Sequence, residues 1–547
     1  MRNNDIALSG NIVDVFNSKI YPGTIAISNG KIADIIKEKN TYSTYILPGF
    51  IDSHFHIESS MLVPSELSKI AAVHGTTAIL SDPHEIANVL GINGVQYMID
   101  NAKSVSVKFY FGAPSCVPAS EFETSGAVIG PDLVEELLKR DEIKYLAEVM
   151  NFPGVINSQP DVMRKIGIAK RYGKVIDGHS PELRGEGLWK YVKAGISTDH
   201  ECFQKDEALE KIGLGMNILI REGSAAKNFD ELIPIVEKHF KHCMFCSDDR
   251  HPDDLLKGHI NEMVKRAVAY GIDVMKVLRV ACVNPVLHYG LDAGLLRVGN
   301  SADFIVVDNL KDFHVLQTYI NGEIVSNKGK SLIDALPPKI VNKFTIGKKN
   351  IDDFNLPSKE GRIHVIEAID GQVITEKGVA IPYTINGNMM SDINRDILKI
   401  AVVNRYLEAK PAIGFIKNFG LKKGAIASSV AHDSHNIIAV GVTDEDICRA
   451  VNLIIEHKGG ICAVSREKEI ILPLPVAGIM SSEEPLSVAE KYTALDRIAK
   501  ELGSILHAPF MTLSFMALLV IPKIKLSDKG LFDGEKFEYI DLQTCPK

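Results

Sequence analysis

The spacing of apolar and polar positions changes character along the chain. Up to about residue 44 the runs are short. Residues 11–15 and 23–27 are alternating or apolar, with Pro-Gly and Asn-Gly turn signals between and after them, which predicts strands. From residue 45, apolar strand-like runs alternate with longer helical patterns, and that alternation predicts βα units around a parallel sheet. Strands are expected at 46–51, 76–80, 107–111, 143–149, 174–176, 195–198, 216–220 and 243–246. Helical stretches fall between most of them, for instance 131–140 and 230–239, and another at 260–270 follows the last strand. The segment from 47 to about 285 is close to the ~250 residues usual for an eightfold βα barrel.

Beyond the barrel, residues 293–299 lead into strand-like runs at 302–308 and 318–325, so the small β region at the start is expected to find its partner here. From 342 to the end lies a further mixed unit with a helix at 444–457 and a strand at 461–465. The expected fold is therefore α/β. A (β/α)8 TIM barrel (47–289) carries a small β-sandwich domain built from both flanks (1–46 plus 290–341) and a C-terminal mixed α/β domain (342–547).

Composition narrows the function. Among 547 residues, 61 Lys plus Arg face 69 Asp plus Glu, giving a net charge of −8. With no long basic run, the footprint of a nucleic-acid binder is absent. Hydrophobic residues at 46% and charged ones at 24% are the ordinary balance of a globular protein. The most membrane-like stretch, 502–522, is broken by Gly503, His507 and Pro509, and the remainder from 510 to 521 is too short to cross a bilayer. No membrane partner is expected. The polar start, Met1 to Asp5, lacks the pattern of a secretory signal. The eight cysteines (116, 202, 243, 246, 282, 448, 462 and 545) have no framework spacing, and Cys243 and Cys246 read as two buried thiols in a strand. Reduced thiols and no signal point to the cytoplasm. A homo-oligomer such as a dimer is compatible with all of this.

The chemistry sits where the strands end, which in a barrel is the catalytic face. The first strand runs into Asp52-Ser53-His54-Phe55-His56, and residues two apart on a strand project to the same side. In a chain with 17 His, an HxH alone is weak. Context strengthens it: the fourth strand closes on Glu148, the fifth on Asp177-Gly178-His179, the sixth on Asp199-His200 and the eighth on Ser247-Asp248. Four imidazoles (His54, His56, His179, His200) and two carboxylates (Glu148, Asp248) exceed the three protein ligands of a mononuclear zinc site. They suit two divalent metal ions with one carboxylate bridging. A nitrogen and oxygen donor set without Cys favours Mn, Fe or Zn. Such a site makes hydroxide available near pH 7, which is hydrolytic chemistry.

The stretch Leu47-Pro48-Gly49-Phe50-Ile51-Asp52-Ser53-His54-Phe55-His56 resembles the first-strand signature of the amidohydrolase superfamily, and 294–308 is similar to its return to the small β domain. Ser81-Asp82-Pro83-His84-Glu85-Ile86-Ala87-Asn88-Val89, Ala147-Glu148-Val149-Met150-Asn151-Phe152-Pro153-Gly154 and Val430-Ala431-His432-Asp433-Ser434-His435-Asn436 resemble, within it, the bacterial and archaeal adenine deaminases. The resemblance spans nearly the whole chain. It implies adenine as substrate, hypoxanthine and ammonia as products, and two metals per chain, Mn or Fe ahead of Zn. Many binuclear relatives bridge their metals with a carboxylated lysine on the fourth strand. Here that strand ends in Glu148, so the bridge is assigned to it. One metal is then expected on His54, His56, Glu148 and Asp248, and the other on Glu148, His179 and His200.

In this picture Asp248 moves the proton of the attacking water, and Asp82, His84 and Glu85 bind the purine edge, with Glu85 also a catalytic candidate. Glu182, three after His179, matches the HxxE of single-metal deaminases and is a lesser candidate for ring protonation. His432, Asp433 and His435 could bind metal, and a structural or lid role over the barrel mouth is favoured. Arg221 to Ser224 either border the pocket or form an internal ion pair. The rival activity is that of another binuclear amidohydrolase acting on a cyclic amide or an acylated amine.

Overall fold

The computed structural model describes residues 6–358 and 360–544, so Met1 to Asp5 and Cys545 lie outside the described residues. Eight strands form the barrel: β1 (Phe50–Phe55), β2 (Thr76–Ser81), β3 (Lys108–Ala113), β4 (Ile143–Val149), β5 (Val175–Gly178), β6 (Thr198–Asp199), β7 (Asn217–Arg221) and β8 (Cys243–Cys246). Strands β1 to β5 form one parallel ladder and β6 to β8 another. Backbone bonds from Ser197 N to Ile176 O (3.0 Å) and from Asn217 N to Ser197 O (2.8 Å) carry the wall across the short β6. The circle closes where Asp248 N donates to His54 O at 2.9 Å. β1, β2 and β8 are buried along their whole length, as strands covered on both faces must be.

The expected first strand at 46–51 is in fact two. Tyr45–Pro48 pairs antiparallel with Phe304–Val307 in the small β unit, and only after Gly49 does the chain enter the barrel. A Cβ at Gly49 would lie 2.2 Å from the Thr77 side chain, so the crossing between sheets admits no side chain there. The apolar run hid this junction because both halves are buried. The helix expected at 230–239 is also interrupted, into Phe229–Leu232, a tight turn at Ile233–Ile235 and Val236–His239. Pro234 in its middle cannot donate a helical hydrogen bond.

The small β unit draws on both flanks. Its eight strands run in the order 330–331, 323–327, 315–320, 304–307, 45–48, 6–14, 19–28, 31–37, with Ile12, Ile25, Ile46 and Phe304 in one core. The C-terminal unit is built on a nine-stranded, mainly antiparallel sheet. Helix Asp444–His457, capped by the Thr443 side chain on Asp446 N, packs on that sheet and follows the expected span. The 502–522 stretch forms the buried helix Pro509–Phe515 and flanking turns. Among the described residues no helix is long and apolar enough to cross a membrane. The seven described cysteines are all buried and free.

Candidate active site

The ends of β1, β2, β4, β5, β6, β7 and β8 converge on one buried cluster. Asp52 anchors the first of them: its Oδ1 accepts from His54 N (3.3 Å) and Ser247 N (3.0 Å), and its Oδ2 lies 2.8 Å from His259 Nε2. This ties β1 to β8 beneath the site. His54 and His56 project together as the strand period requires, with their Nε2 atoms 3.2 Å apart. His56 Nδ1 faces the Asp82 carbonyl at 3.2 Å. Donation there leaves the His56 Nε2 lone pair directed into the cluster, the usual way a ligating imidazole is oriented.

Glu148 is the centre. Its Oε1 lies 3.3 Å from His56 Nε2, whereas its Oε2 lies 2.9 Å from His179 Nδ1 and 3.2 Å from His200 Nε2. Asp248 completes the group, its Oδ1 3.1 Å from His56 Nε2 and 3.5 Å from His54 Nε2. Asp248 is held in the left-handed region at φ 54°, which Asp tolerates better than most residues. Burial opposes charge on Glu148, yet His179, His200 and His56 hold its carboxyl well below the usual range. Asp248 is likewise kept ionised against burial, chiefly by Arg221. Burial would lower His200, but its bond to Glu148 raises it to about 9. The cluster holds fixed negative charge beside imidazoles whose ring protons a divalent cation would replace, the donor set of a divalent cation site. The two oxygens of Glu148 are turned to different imidazole sets.

The wider shell contains residues without an assigned role in the sequence reading. Glu201 Oε1 lies 3.4 Å from His200 Nε2, and Arg221 clamps Glu201 while its Nη1 donates to Asp248 Oδ2 at 2.6 Å. Arg221 therefore does both things considered for it, bordering the cavity and forming a buried ion pair. Glu201 had a signal in the sequence, standing directly after His200 at the end of β6. Beneath it, fully buried Lys211 donates to Asp199 Oδ2 (3.0 Å), Glu207 Oε1 (2.7 Å) and Ser180 O (2.7 Å).

His84 and Glu85 open the helix His84–Leu90 after β2. Asp82, expected at the purine, stands one layer back: Oδ1 accepts from His84 N at 3.1 Å, Oδ2 lies 3.2 Å from His84 Nδ1, and the residue is not on the cavity wall. Glu182 is exposed, its backbone N donates to Glu207, and it is not on the cavity wall.

The C-terminal unit forms the roof. His432 Nδ1 lies 2.5 Å from Glu85 Oε1, and His435 Nε2 lies against the other oxygen of the same carboxylate. Burial would raise Glu85, but His432 and His435 hold it well below the usual carboxylate range. Burial would lower His432, and Glu85 lifts it to about 9. Phe515 stacks on His432 with ring centroids 4.9 Å apart. Val373, Asp433, Phe515, Leu518 and Ile521 then line the mouth over His56, Glu148, His200 and Asp248, leaving a cavity of about 40 Å³.

Residues 45–325 match the amidohydrolase family, and residues 372–538 match the adenine deaminase C-terminal domain. An adenine deaminase of Sulfurovum sp. (strain NBC37-1) is 57% identical over 98% of this chain and 99% of that protein. The chain belongs to the adenine deaminase family of amidohydrolases. It is thus a metal-dependent hydrolase acting on carbon–nitrogen bonds. The adenine deaminase of Methanosarcina mazei is 52% identical over 97% of this chain and 98% of that protein. That of Borreliella burgdorferi is 52% identical over 98% and 99%. Among solved structures, a beta-aspartyl dipeptidase from Fervidobacterium islandicum AW-1 shows a TM-score of 0.46 at 13% identity, over 60% of this chain and 98% of that one. That likeness is too distant to inform the chemistry.

Proposed function

We propose that this chain hydrolyses adenine to hypoxanthine and ammonia, the reaction for which its family is named, at a centre for two divalent cations, Mn or Fe ahead of Zn. The observation that carries the reading is Glu148, whose two oxygens face separate imidazole sets. His54, His56, Glu148 and Asp248 would hold one cation, and Glu148, His179 and His200 the other. When bound, such ions act as Lewis acids and bring the pKa of a coordinated water near neutrality.

The protein's own groups do the rest. Asp248, kept ionised by Arg221, takes the proton of the water that attacks C6 of the ring and returns it to the departing amine. His84, in contact with Glu85 at 3.3 Å, is assigned to the N1 edge: it supplies a proton as negative charge develops on the ring and recovers one as the C6 hydroxyl becomes the carbonyl. Asp82 positions His84, and the Glu85 carboxylate, fixed by His432 and His435, couples that edge to the roof. The roof excludes bulk water, which strengthens each of these interactions. Buried free thiols at all seven described cysteines support a cytoplasmic setting.

The test is ammonia release from adenine, compared with adenosine, guanine and cytosine, using metal-reconstituted protein with bound metal counted. Release from adenine and close to two ions per chain are expected. Activity confined to a cyclic amide or an acylated amine would replace the adenine reading.

A further inference from the structure

The catalytic cavity, at about 40 Å³, has room for only a few water molecules and lies far below the ~300–1,000 Å³ of ordinary ligand sites. Beside it lies a cleft of about 1180 Å³ between barrel loop 115–130 and the C-terminal unit. The two share a wall: Met150 lines both, and Val520 and Pro522 line the cleft while Ile521 lines the catalytic cavity. The loop is fastened to the C-terminal unit. Thr124 N donates to Asp528 Oδ1 at 2.9 Å, and Asn436 Nδ2 donates to Thr124 O at 2.8 Å.

Within this cleft Glu123 is 7% exposed; its Oε1 makes no hydrogen bond of good geometry, with the Ser434 hydroxyl close by. Burial, then the nearby Asp433 carboxylate, pushes the Glu123 carboxyl well above its usual range. A protonated carboxyl presents one donor and one acceptor side by side. That pattern pairs with the N1/N6 edge of adenine and equally with the N1/O6 edge of hypoxanthine, so one residue reads both substrate and product.

We propose that this cleft is a staging site for a free purine base, read by Glu123, from which the base passes Met150 into the catalytic cavity. The inference rests on the adenine reading above. Removing the edge-reading group is expected to slow capture and leave chemistry intact: Glu123→Leu should lower kcat/KM about tenfold, with kcat at saturating adenine within about twofold. Glu123→Gln keeps a donor beside an acceptor and should recover most of the loss. Val128, exposed at the cleft, offers a variant that leaves the core alone, and Val128→Trp should lower kcat/KM in the same way.

Calorimetry with hypoxanthine on the metal-loaded enzyme gives the independent readout. The wild type should bind a second, weaker base per chain that Glu123→Leu loses. Unchanged kcat/KM in both Glu123→Leu and Val128→Trp, or the same hypoxanthine stoichiometry in Glu123→Leu and wild type, overturns the proposal. So does a fall in kcat with KM unchanged. If Glu123→Leu does not fold, Val128→Trp decides alone. Wild-type enzyme inert toward adenine would instead strike the adenine reading, which separates the two failures.

Discussion

Replacing Asp248 by Asn tests the proton-transfer assignment with almost no change in shape. Asp248 meets different partners on its two oxygens: Oδ1 faces His56 and His54 at 3.1 and 3.5 Å, and Oδ2 accepts from Arg221 Nη1 at 2.6 Å. An amide can satisfy only one side. With its oxygen toward the imidazoles, its NH2 opposes a guanidinium; turned the other way, the NH2 meets the His Nε2 lone pairs. The first orientation forfeits a charge-assisted hydrogen bond worth about 1.5–3 kcal/mol and leaves Arg221 with Glu201 alone, whereas the second keeps only a neutral acceptor for Arg221 and puts the NH2 on the cation's side. Loss of a general base contributes about 10²–10⁴ in rate, and at about 1.36 kcal/mol per decade that is roughly 3–5 kcal/mol of barrier. Steady-state ammonia release, with metal counted by plasma spectrometry on the same sample, should show turnover down by that factor in protein that keeps most of its metal. Wild-type turnover in Asp248→Asn would refute the assignment. Lost activity that tracks lost metal would show that Asp248 serves as a ligand and nothing more.

Glu148→Gln removes the charge that faces both imidazole sets, so bound metal should drop by at least half in dialysed protein, and full occupancy would remove the bridge. Lys211→Met strands the buried carboxylates of Asp199 and Glu207, which should destabilise the barrel by about 3–5 kcal/mol in denaturant unfolding; an unchanged midpoint would show that the network is dispensable. For pH, His432 rises from 6.5 to about 9 on folding, against burial and because of Glu85. Its contribution is complete below pH 6.5 and fades as pH rises through 9. The stability gap between wild type and His432→Gln should therefore narrow across that window, and a gap that widens toward alkaline pH would contradict the His432–Glu85 assignment.

Much of the site was legible because barrel chemistry is local to strand ends. His54, His56, Glu148, His179, His200 and Asp248 each stand at or just past the end of a strand that its apolar run announces, and the fold brings them to one point. What was illegible has physical causes. The junction at Gly49 lies within one unbroken apolar run, because the chain passes from one buried sheet directly into another. Asp82 and His84 are two residues apart and equally plausible at a substrate, yet the helix starting at His84 turns one inward and leaves the other to brace it from behind. Glu182 has the right spacing from His179, but its backbone lies at φ 58° in an exposed turn, and spacing says nothing of that turn.

The roof is the deepest such case. Glu85 and His432 are separated by 347 positions, and no periodicity in either segment foretells their meeting. Their contact nevertheless explains why the C-terminal unit is part of the enzyme and not an appendage. A buried carboxylate without partners is costly, by several kcal/mol for an isolated charge. In a barrel alone, Glu85 would face solvent at the mouth. Under the roof it is buried and needs the His432 and His435 imidazoles to stay ionised. Barrel and roof are therefore coupled through one charge. Any motion that admits a base to the cavity must either carry His432 and His435 away from Glu85, exposing it to water, or leave them in place and move only the apolar wall at Met150, Leu518 and Ile521. The second route breaks no ion pair, and it opens toward the cleft that Glu123 lines.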